Sequence, residues 1–505
     1  MKLFDYDDTS VDSIFAYAKQ LEGMTFNQII TAYEENPIKV YIPKNMKSIS
    51  TTSSYAHESI AYNANKSDLK NPKAKGQLGV VLEKYYFGYD PNGNQEADFN
   101  KVGIELKQTP IDISKKGELR AGERLSITNI SYREPVIDDF YQSHVWDKIK
   151  CILLVHYIRD KSKERFDYQI KFVNLFTPPK QDLQIIISDY NKINAKIKAG
   201  LAHELSEGDT LYLGACTKGK TAIDSMVPQF YGTQIFAKKR NFCFKVSYMN
   251  FVLNNYVLKN NVPCDTILKD EFIGDFEEYI ISKINRYSGY TDKELCKILD
   301  LKYTNNKAQW KTLVYRILGI RNNKAAEFEK ANVNVRTIRI EENGKNVESI
   351  SFSNSKFKDL AKETWEESAF FNFLDTTKFF FVIFKKIGDC YQLSGAQFWH
   401  ISYDDMNIVR KEWEAYVNVI KNNIEFKFST QKTGKVEVNN NLPKKSETKI
   451  IHMRPHSKKS AYKLHNGYEY GNIRRDADEL PNGEWMTKQS FWLNNDYVLK
   501  QLKYK

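Results

Sequence analysis

Residues 96–110 read EADFNKVGIELKQTP, an apolar run interrupted by charged side chains. The alternation in Val102–Lys107 predicts a β-strand, in which successive side chains point to opposite faces. Glu105 and Lys107 then project from the same face, and Asp98 precedes Glu105 by seven residues. The pattern predicts a strand that presents a carboxylate and an ammonium group together, with a second carboxylate upstream.

Two carboxylates and a lysine are groups that can support metal-dependent hydrolysis of a phosphodiester bond. Asp98 and Glu105 can hold Mg²⁺ through oxygen ligands, while water and phosphate complete its shell. Lys107 can orient the attacking water. The pattern also fits a solvated sheet edge, and two further Glu-x-Lys triplets begin at Glu425 and Glu447. Both of those triplets have asparagine, not aspartate, seven residues upstream.

The region before this strand predicts helices and one long polar segment. Residues 76–88 have apolar side chains at helical spacing and carry Glu83, a third acidic candidate. Residues 11–30 predict a helix that ends near Gly23 and a second helix after it. Residues 44–75 are rich in serine, asparagine and lysine, which predicts a surface loop or lid.

The composition favours an intracellular protein that binds a polyanion. The chain has 505 residues, of which 41% are hydrophobic, enough for two or more domains. Its formal net charge of +12 suits nucleic acid. The six cysteines form no C-x-x-C pair, which indicates neither a zinc site nor a disulfide framework and fits a reducing cytoplasm. The apolar runs are too short to cross a membrane, and we expect no signal peptide.

Two short echoes predict that the chain is duplicated. QLEGMTFNQI around Gly23 returns as RYSGYTDKEL around Gly289. YMNFVLNNYVL around Phe251 returns as QSFWLNNDYVL around Phe491. The echoes keep the same order along the chain, so we expect two related domains. The predicted domains are residues 1–265 and residues 270–505.

Three blocks, GVVLEKYYFG, ADFNKVGIELKQTP and SHVWDKIKCILLV, resemble the motif blocks of MutH, the mismatch-repair nicking endonuclease, and of its GATC-cutting restriction relatives. The resemblance covers most of residues 10–258. AHELSEGDTLYLGACTKGK, at residues 202–220, is similar to the restriction branch, whose two-copy length also matches. The resemblance implies an α/β fold with two MutH-like domains of the restriction-endonuclease type, each a mixed β-sheet flanked by helices.

The resemblance also implies roles for individual residues. Asp98 and Glu105 correspond to the Mg²⁺ ligands, and Lys107 corresponds to the catalytic lysine. Glu83 corresponds to a helix carboxylate that organises the site, and Lys148 to a second lysine that reaches it. Without the motif context, Lys148 would be interpreted as a helix-surface lysine. The proline of the family motif is absent, because alanine precedes Asp98.

Basic residues interleaved with aromatic residues near the end of the first domain are typical of phosphate contacts beside base contacts. The same pattern also fits a solvated surface. The resemblance implies that the DNA sequence is read here. Lys218 and Lys220 are expected near the bases. The expected phosphate contacts are Lys238, Lys239 and Arg240.

The second copy has a basic segment at residues 450–467, in which Arg454-Pro455-His456 resembles the family's recognition loop. Its histidines are not interpreted as a metal site, because no carboxylate or cysteine lies at ligand spacing. The further expected phosphate contacts are Lys458, Lys459, Lys463 and Lys488.

An alignment of the two copies predicts that the second copy is catalytically silent. The aligned pairs are Glu105 with Asn334, Lys107 with Arg336, Glu83 with Val314, and Asp98 with Glu327. Asparagine lacks the charge to bind Mg²⁺ well, and an arginine does not readily exchange a proton with water. Only one carboxylate is retained, so we expect DNA binding without cleavage.

The resemblance therefore implies a type II restriction endonuclease that makes Mg²⁺-dependent double-strand breaks at GATC. We expect the second domain to bind another GATC duplex as an allosteric effector, so that two duplexes occupy the active complex. We also expect a cognate DNA methyltransferase to be encoded nearby. The alternative is a MutH-type nicking factor, or a non-catalytic DNA-binding factor, that needs partner proteins in repair.

Overall fold

A computed structural model describes residues 5–35, 76–91, 96–217, 225–232, 234–260, 264–269, 272, 274–346, 349–430, 434 and 436–503. The chain forms two compact units. The first unit is Met1–Lys198 with Ala215–Pro263, and the second is Ala199–Gly214 with Cys264–Lys505. The predicted boundary near residue 265 lies close to this division, but Ala199–Gly214, predicted in the first domain, belongs to the second unit. The polar segment 44–75 lies outside the described residues.

The first unit combines helices with a mixed sheet. Its helices are α1 (Val11–Lys19), α2 (Phe26–Glu35), α3 (Gln77–Val80, continued by the π-helical turn Val81–Phe87), α4 (His144–Ile149), α5 (Lys180–Lys198) and α6 (Val246–Val252). Its strands are β1 (Glu105–Ile113), β2 (Leu119–Ala121), β3 (Leu125–Asn129), β4 (Ile152–Ile158), β5 (Ile170–Phe176), β6 (Leu213–Thr217), β7 (Met226–Val227), β8 (Ala237–Lys238) and β9 (Arg240–Phe244).

The main sheet of the first unit has the strand order β2-β1-β4-β5. Strand β1 runs parallel to β4, whereas β2 and β5 are antiparallel to their neighbours. Helices α1 to α3 cover one face of this sheet, and the apolar side chains between them form the core. That core includes Ile14, Tyr17, Phe26, Leu82, Tyr86, Leu106, Leu153, Val155 and Ile170.

The strand predicted from Val102 begins at Glu105 instead. The preceding residues form a turn, because Gly103 adopts a left-handed φ of 69° that other residues rarely tolerate. The Gly103 N–H donates to the carbonyl oxygen of Phe99 at 2.8 Å, and Phe99 also pairs with Ile104. This turn brings the chain segment before the strand back beside the strand's first residue.

The second unit has its own helices and strands. Its helices are α7 (Phe276–Asn285), α8 (Asp292–Ile298), α9 (Lys307–Ile317), α10 (Ala326–Ala331), α11 (Phe357–Leu360), α12 (Ala369–Thr376), α13 (Tyr403–Lys421), α14 (Ile473–Asp476) and α15 (Asn495–Gln501). Its strands are β10 (Val333–Ile340), β11 (Ser351–Ser355), β12 (Lys378–Ile387), β13 (Cys390–Trp399), β14 (Phe426–Thr430), β15 (Val436–Asn440), β16 (Ile451–Pro455), β17 (Tyr462–Lys463), β18 (Glu469–Tyr470), β19 (Ala477–Glu479), β20 (Trp485–Thr487) and β21 (Gln489–Leu493).

Two sheets of the second unit repeat strand orders found in the first. Strand β10 runs parallel to β12, and β12 is antiparallel to β13, which matches β1, β4 and β5. A further sheet has the order β11-β21-β16, which matches β3-β9-β6.

Across the described ranges, no helix is both long and apolar enough to span a bilayer.

The predicted correspondence between Gly23 and Gly289 agrees with the structure. Both glycines have φ values near 90°, and each donates its N–H to a strand carbonyl at 2.9 Å, that of Ile170 or of Leu393. A glutamine side chain donates back to each glycine carbonyl, from Gln169 at 2.9 Å and from Gln392 at 2.6 Å. The two glycines therefore occupy the same place in the two units.

The predicted correspondence between Phe251 and Phe491 is wrong. Phe251 lies in helix α6, whereas Phe491 lies in strand β21. The matching succession is β9 followed by α6 and β21 followed by α15, which pairs the buried Tyr248 with the buried Tyr497. The echo misled because an apolar run followed by two asparagines occurs both at the end of helix α6 and at the end of strand β21.

Candidate active site

Glu105 occupies the first position of β1 and is almost fully buried, with 2% of its side chain exposed. Its Oε1 contacts Lys107 Nζ at 2.7 Å, and its Oε2 contacts Lys148 Nζ at 3.0 Å. Lys107 lies on the same strand face, as the alternation predicted. Lys148 comes from α4, which begins where the Ser143 hydroxyl accepts the N–H of Trp146. The carboxylate is therefore held between two ammonium groups.

Asp98 is fixed beside Glu105 by the turn before the strand. Its Oδ2 accepts the N–H of Leu106 at 2.9 Å, and its own N–H donates to Glu105 Oε2 at 3.3 Å. Lys148 also donates to the carbonyl oxygen of Glu96 at 2.7 Å, which ties α4 to the same segment. The loop, the strand and the helix thus converge on one pair of carboxylates.

Three carboxylates influence one another at this point. Burial and the neighbouring Asp98 carboxylate raise the pKa of Glu83 to about 7. Burial and the Glu105 carboxylate raise the pKa of Asp98 to about 6. The ammonium groups of Lys107 and Lys148 oppose both shifts. Crowding of the carboxylates disfavours the charged forms of Glu83 and Asp98. A bound cation would offset this repulsion and would favour the ionised carboxylates.

These side chains line a cleft with a volume of about 730 Å³. One wall is formed by residues of the 123–137 segment, which sequence reasoning missed because the segment carries no recognisable motif. Gln108 and Gly79 also line the cleft. A side chain at Gly79 would meet Gln108 Nε2 at 3.3 Å and Glu83 Oε1 at 3.5 Å. The absence of a side chain at Gly79 therefore keeps this part of the cleft open. In the sequence, the only indication of this role is that a glycine occurs within a predicted helix.

The acidic residues fit a Mg²⁺-type ion better than a caged structural metal. Within the part of the chain that the structure describes, no cluster of three or more His, Cys, Asp and Glu forms a ready-made metal cage. Mg²⁺ usually takes one or two carboxylates and keeps waters or phosphate oxygens as its other ligands. Asp98 and Glu105 supply such a pair. A carboxylate oxygen has more than one lone pair, so the lysine contacts to Glu105 do not exhaust its oxygens.

The predicted DNA contacts of the first unit fall into different surroundings. Lys218 and Lys220 lie outside the described residues. Lys238 lies half-buried on β8, and Lys239 is exposed. Arg240 is buried, and its Nη1 donates to the carbonyl oxygen of Ala215 at 2.6 Å. The structure thus shows that Arg240 holds backbone, and its phosphate contact stays a prediction.

The predicted contacts of the second unit lie mostly at the surface. Arg454 and Pro455 are the last two residues of strand β16. The sequence resemblance predicts a loop at this position instead. The Arg454 guanidinium stacks 3.7 Å from the centroid of the Trp492 ring, which fixes its direction. Lys488 is half-buried and donates to the carbonyl oxygen of Arg475 at 2.5 Å. The exposed lysines are Lys458, Lys459 and Lys463.

Among the described residues of the second unit, the aligned positions do not form a carboxylate pair. Glu327 lies in α10, and its oxygens accept the N–H groups of Ile267 and Leu268 at 3.0 Å, so this carboxylate serves the fold. Burial lowers the pKa of Arg336, and its Nε has no hydrogen-bond partner among the described residues. Asn334, the residue aligned with Glu105 in sequence, lies on β10. The arrangement that surrounds Glu105 therefore has no counterpart here.

Known proteins resemble this chain in sequence. The sequence model of the family described as DNA mismatch repair enzyme MutH matches residues 87–189. The type II restriction enzyme Sau3AI of Staphylococcus aureus is 33% identical over 465 residues, which cover 85% of this chain and 93% of that protein. The DNA mismatch repair protein MutH of Shewanella amazonensis is 26% identical over 185 residues, which cover 35% of this chain and 78% of that protein.

The fold, the site and these similarities define a site-specific deoxyribonuclease. The match to the MutH protein covers 35% of the chain, which is less than one unit, whereas the match to the restriction enzyme covers 85% and therefore extends into both units. The chain belongs to the family of MutH-like type II restriction enzymes.

Proposed function

We propose that this protein is a type II restriction endonuclease that cuts both strands of DNA at GATC and requires Mg²⁺. The observation that carries the proposal is the buried Glu105 carboxylate, held between Lys107 and Lys148 beside Asp98. The similarity to a type II restriction enzyme over both units supports double-strand cleavage. The GATC sequence is the expectation that follows from the motif resemblance.

Asp98 and Glu105 would hold the divalent cation, and Glu83 would be an acidic neighbour that keeps the cleft attractive to it. When bound, the cation supplies charge neutralisation at the phosphoryl oxygens and lowers the pKa of a bound water. Lys107 would orient the attacking water, because it lines the cleft and 21% of its side chain is exposed. Lys148 is more deeply buried and would hold the Glu105 carboxylate in its orientation through the 3.0 Å contact.

The cleft needs basic groups that hold the DNA backbone over these carboxylates. Lys238 and Lys239 are the described candidates in the first unit, together with Lys218 and Lys220 outside the described residues. Arg240 remains a proposed contact, although its Nη1 already donates to the carbonyl oxygen of Ala215. The net charge of +12 supports long-range attraction of DNA to the chain.

The second unit is proposed to bind another GATC duplex and to stimulate cleavage by the first unit. Its shared sheet order supports a duplicated origin. The loss of the carboxylate pair supports binding without chemistry. The proposed contact surface includes Arg454, Lys458, Lys459, Lys463 and Lys488. We further propose that a cognate methyltransferase, encoded nearby, protects the host's own GATC sites.

Incubation of the purified protein with a supercoiled plasmid in Mg²⁺ tests this function. We expect linear fragments whose ends map to GATC, and no cleavage of a matched plasmid in which every GATC has been changed. The Asp98→Ala variant is the control for a contaminating nuclease. Accumulation of nicked circles alone would favour a MutH-type nicking factor, and no cleavage at all would favour a partner-dependent or non-catalytic DNA-binding protein.

A further inference from the structure

Tyr89 lies between the two chain segments that carry Glu83 and Asp98. It follows the π-helical turn, and its N–H donates to the carbonyl oxygen of Glu83 at 3.1 Å. Its ring packs edge-on against Phe99, with ring centroids 5.5 Å apart. Phe99 is the residue after Asp98. The position of the Tyr89 ring is therefore fixed by a contact with Glu83 and by a contact beside Asp98.

The hydroxyl of Tyr89 is buried, and none of the described residues supplies a hydrogen-bond partner for it. Burial, followed by the carboxylates of Asp98, Glu83 and Glu105, raises its pKa well above the usual range for tyrosine. The group therefore remains an O–H donor at neutral pH. By contrast, the nearby Tyr6 hydroxyl donates to a backbone carbonyl at 2.9 Å.

A buried donor without a partner is destabilising unless another molecule provides an acceptor. The charges of Asp98, Glu83 and Glu105 act on this donor, and it bonds to none of the described groups. Mg²⁺ usually keeps several waters when it binds to one or two carboxylates, and residues outside its direct ligands orient those waters. A water held at Asp98 and Glu105 would give the Tyr89 hydroxyl the acceptor that the described protein groups do not provide.

We propose that Tyr89 is a positioning residue of the cation site, whose hydroxyl donates to a water held by the divalent cation. This inference rests on the proposed metal-dependent function. It assigns Tyr89 no contact with the reacting phosphate. Its effect is on how tightly, and in which orientation, the hydrated cation is held.

The Tyr89→Phe variant tests the inference, because it removes only the hydroxyl oxygen. Binding of Mn²⁺ to the full chain without DNA would be measured from the loss of the free-ion signal in electron paramagnetic resonance. We expect the affinity of Tyr89→Phe to fall about tenfold, as is typical of groups that orient metal ligands. Without the cation, we expect its free energy of unfolding to be equal to or higher than that of the wild type, since an unpaired buried hydroxyl is removed.

The matched control is Tyr132→Phe. The Tyr132 hydroxyl is also buried without a partner among the described residues, but its charged neighbour is Arg240 and not the acidic cluster. We expect this variant to bind Mn²⁺ like the wild type. Asp98→Asn should lose the binding and thereby identifies the site that is measured.

Each outcome distinguishes this inference from the proposed function. If Asp98→Asn loses binding while Tyr89→Phe keeps wild-type affinity, the role of Tyr89 is refuted and the cation site stands. If both tyrosine variants lose affinity equally, the effect is a general one and the inference fails. If the wild type shows no saturable binding that depends on Asp98, the proposed cation site and the inference fail together.

Discussion

Strands β1 and β10 hold matching places in the strand series β1-β4-β5 and β10-β12-β13, yet they present different chemistry. Strand β1 begins with Glu105, whose carboxylate is held by two lysines. Strand β10 carries Asn334 and the largely buried Arg336 instead. In both units, a glycine turn donates a backbone N–H to a strand of the sheet, Gly23 to Ile170 and Gly289 to Leu393. The difference shows that the scaffold is maintained by contacts that do not depend on the acidic residues.

The two aligned carboxylates, Asp98 and Glu327, make a second contrast. Asp98 accepts one backbone N–H, that of Leu106, and faces the cleft. Glu327 accepts the N–H groups of two consecutive residues with both of its oxygens. The same type of side chain can therefore belong to a reaction site or to a structural anchor. Its backbone partners, and not its identity, distinguish the two roles.

The largest effect is expected from Asp98→Asn and Glu105→Gln, each of which removes a carboxylate from the proposed cation site. We expect cleavage to fall by at least about 1,000-fold, because cation stabilisation of phosphoryl charge contributes several kcal/mol. Specific DNA binding should remain measurable, since phosphate contacts lie elsewhere. Asn334→Ala is the matched control on β10 and should cut a single-site substrate at the wild-type rate. Retained turnover in either acidic variant would place the site elsewhere.

Lys107→Ala is expected to reduce cleavage by about 100-fold or more, because positioned groups of this kind contribute on that order. Lys107→Arg should rescue little, since a planar guanidinium places its donors differently from an ammonium group. Single-turnover rates on a GATC duplex would measure both. A wild-type rate in Lys107→Ala would reduce this lysine to a structural partner of Glu105.

Sequence periodicity was sufficient to place Glu105 and Lys107 on one strand face, because that relation depends only on local alternation. The position of Asp98 depends on the turn at Gly103, which shortened the predicted strand by three residues. Lys148 reaches Glu105 from 43 residues away, and only the family resemblance indicated this contact. Local patterns do not encode such distances, because packing between elements determines them.

Of the two correspondences predicted from the sequence repeats, one agrees with the structure and the other does not. The glycine turn was located correctly, because a left-handed residue between two helices has a specific backbone requirement. The apolar echo around Phe251 and Phe491 was shifted, because a buried helix and a buried strand accept similar apolar residues. The inclusion of Ala199–Gly214 in the second unit carried no local signal at all.

Glu327→Gln is expected to lower the free energy of unfolding by about 1–3 kcal/mol, the usual cost of leaving buried backbone donors poorly satisfied. The amide retains one oxygen acceptor, but its NH₂ group would oppose a backbone N–H. Chemical denaturation would measure the change, with the exposed Glu329→Gln of the same helix as control. An unchanged stability would mean that the Glu327 contacts do not anchor the second unit.

The effector proposal predicts an effect of about fivefold, at the lower end of usual coupling between sites. Wild-type protein should cut DNA with two GATC sites faster than DNA with one. Arg454→Ala combined with Lys458→Ala should remove this difference without slowing cleavage of one-site DNA. If one-site DNA is already cut as fast, and added GATC duplex does not stimulate it, the second unit is not an effector.

The smallest effect is expected from Arg336→Met, which replaces a largely buried guanidinium by an apolar side chain of similar length. Burial lowers the pKa of Arg336, and its Nε has no partner in the described part of the chain, so its charge is poorly compensated. Replacing such a charge is often neutral or stabilising, so we expect the free energy of unfolding to stay within about 1 kcal/mol or to rise. Lys107→Met at the aligned position would instead remove a 2.7 Å ion pair with Glu105, and should reduce cleavage as strongly as Lys107→Ala. A loss of several kcal/mol in Arg336→Met would show that this arginine is an anchor like Glu327, and that both aligned charges of the second unit serve its fold.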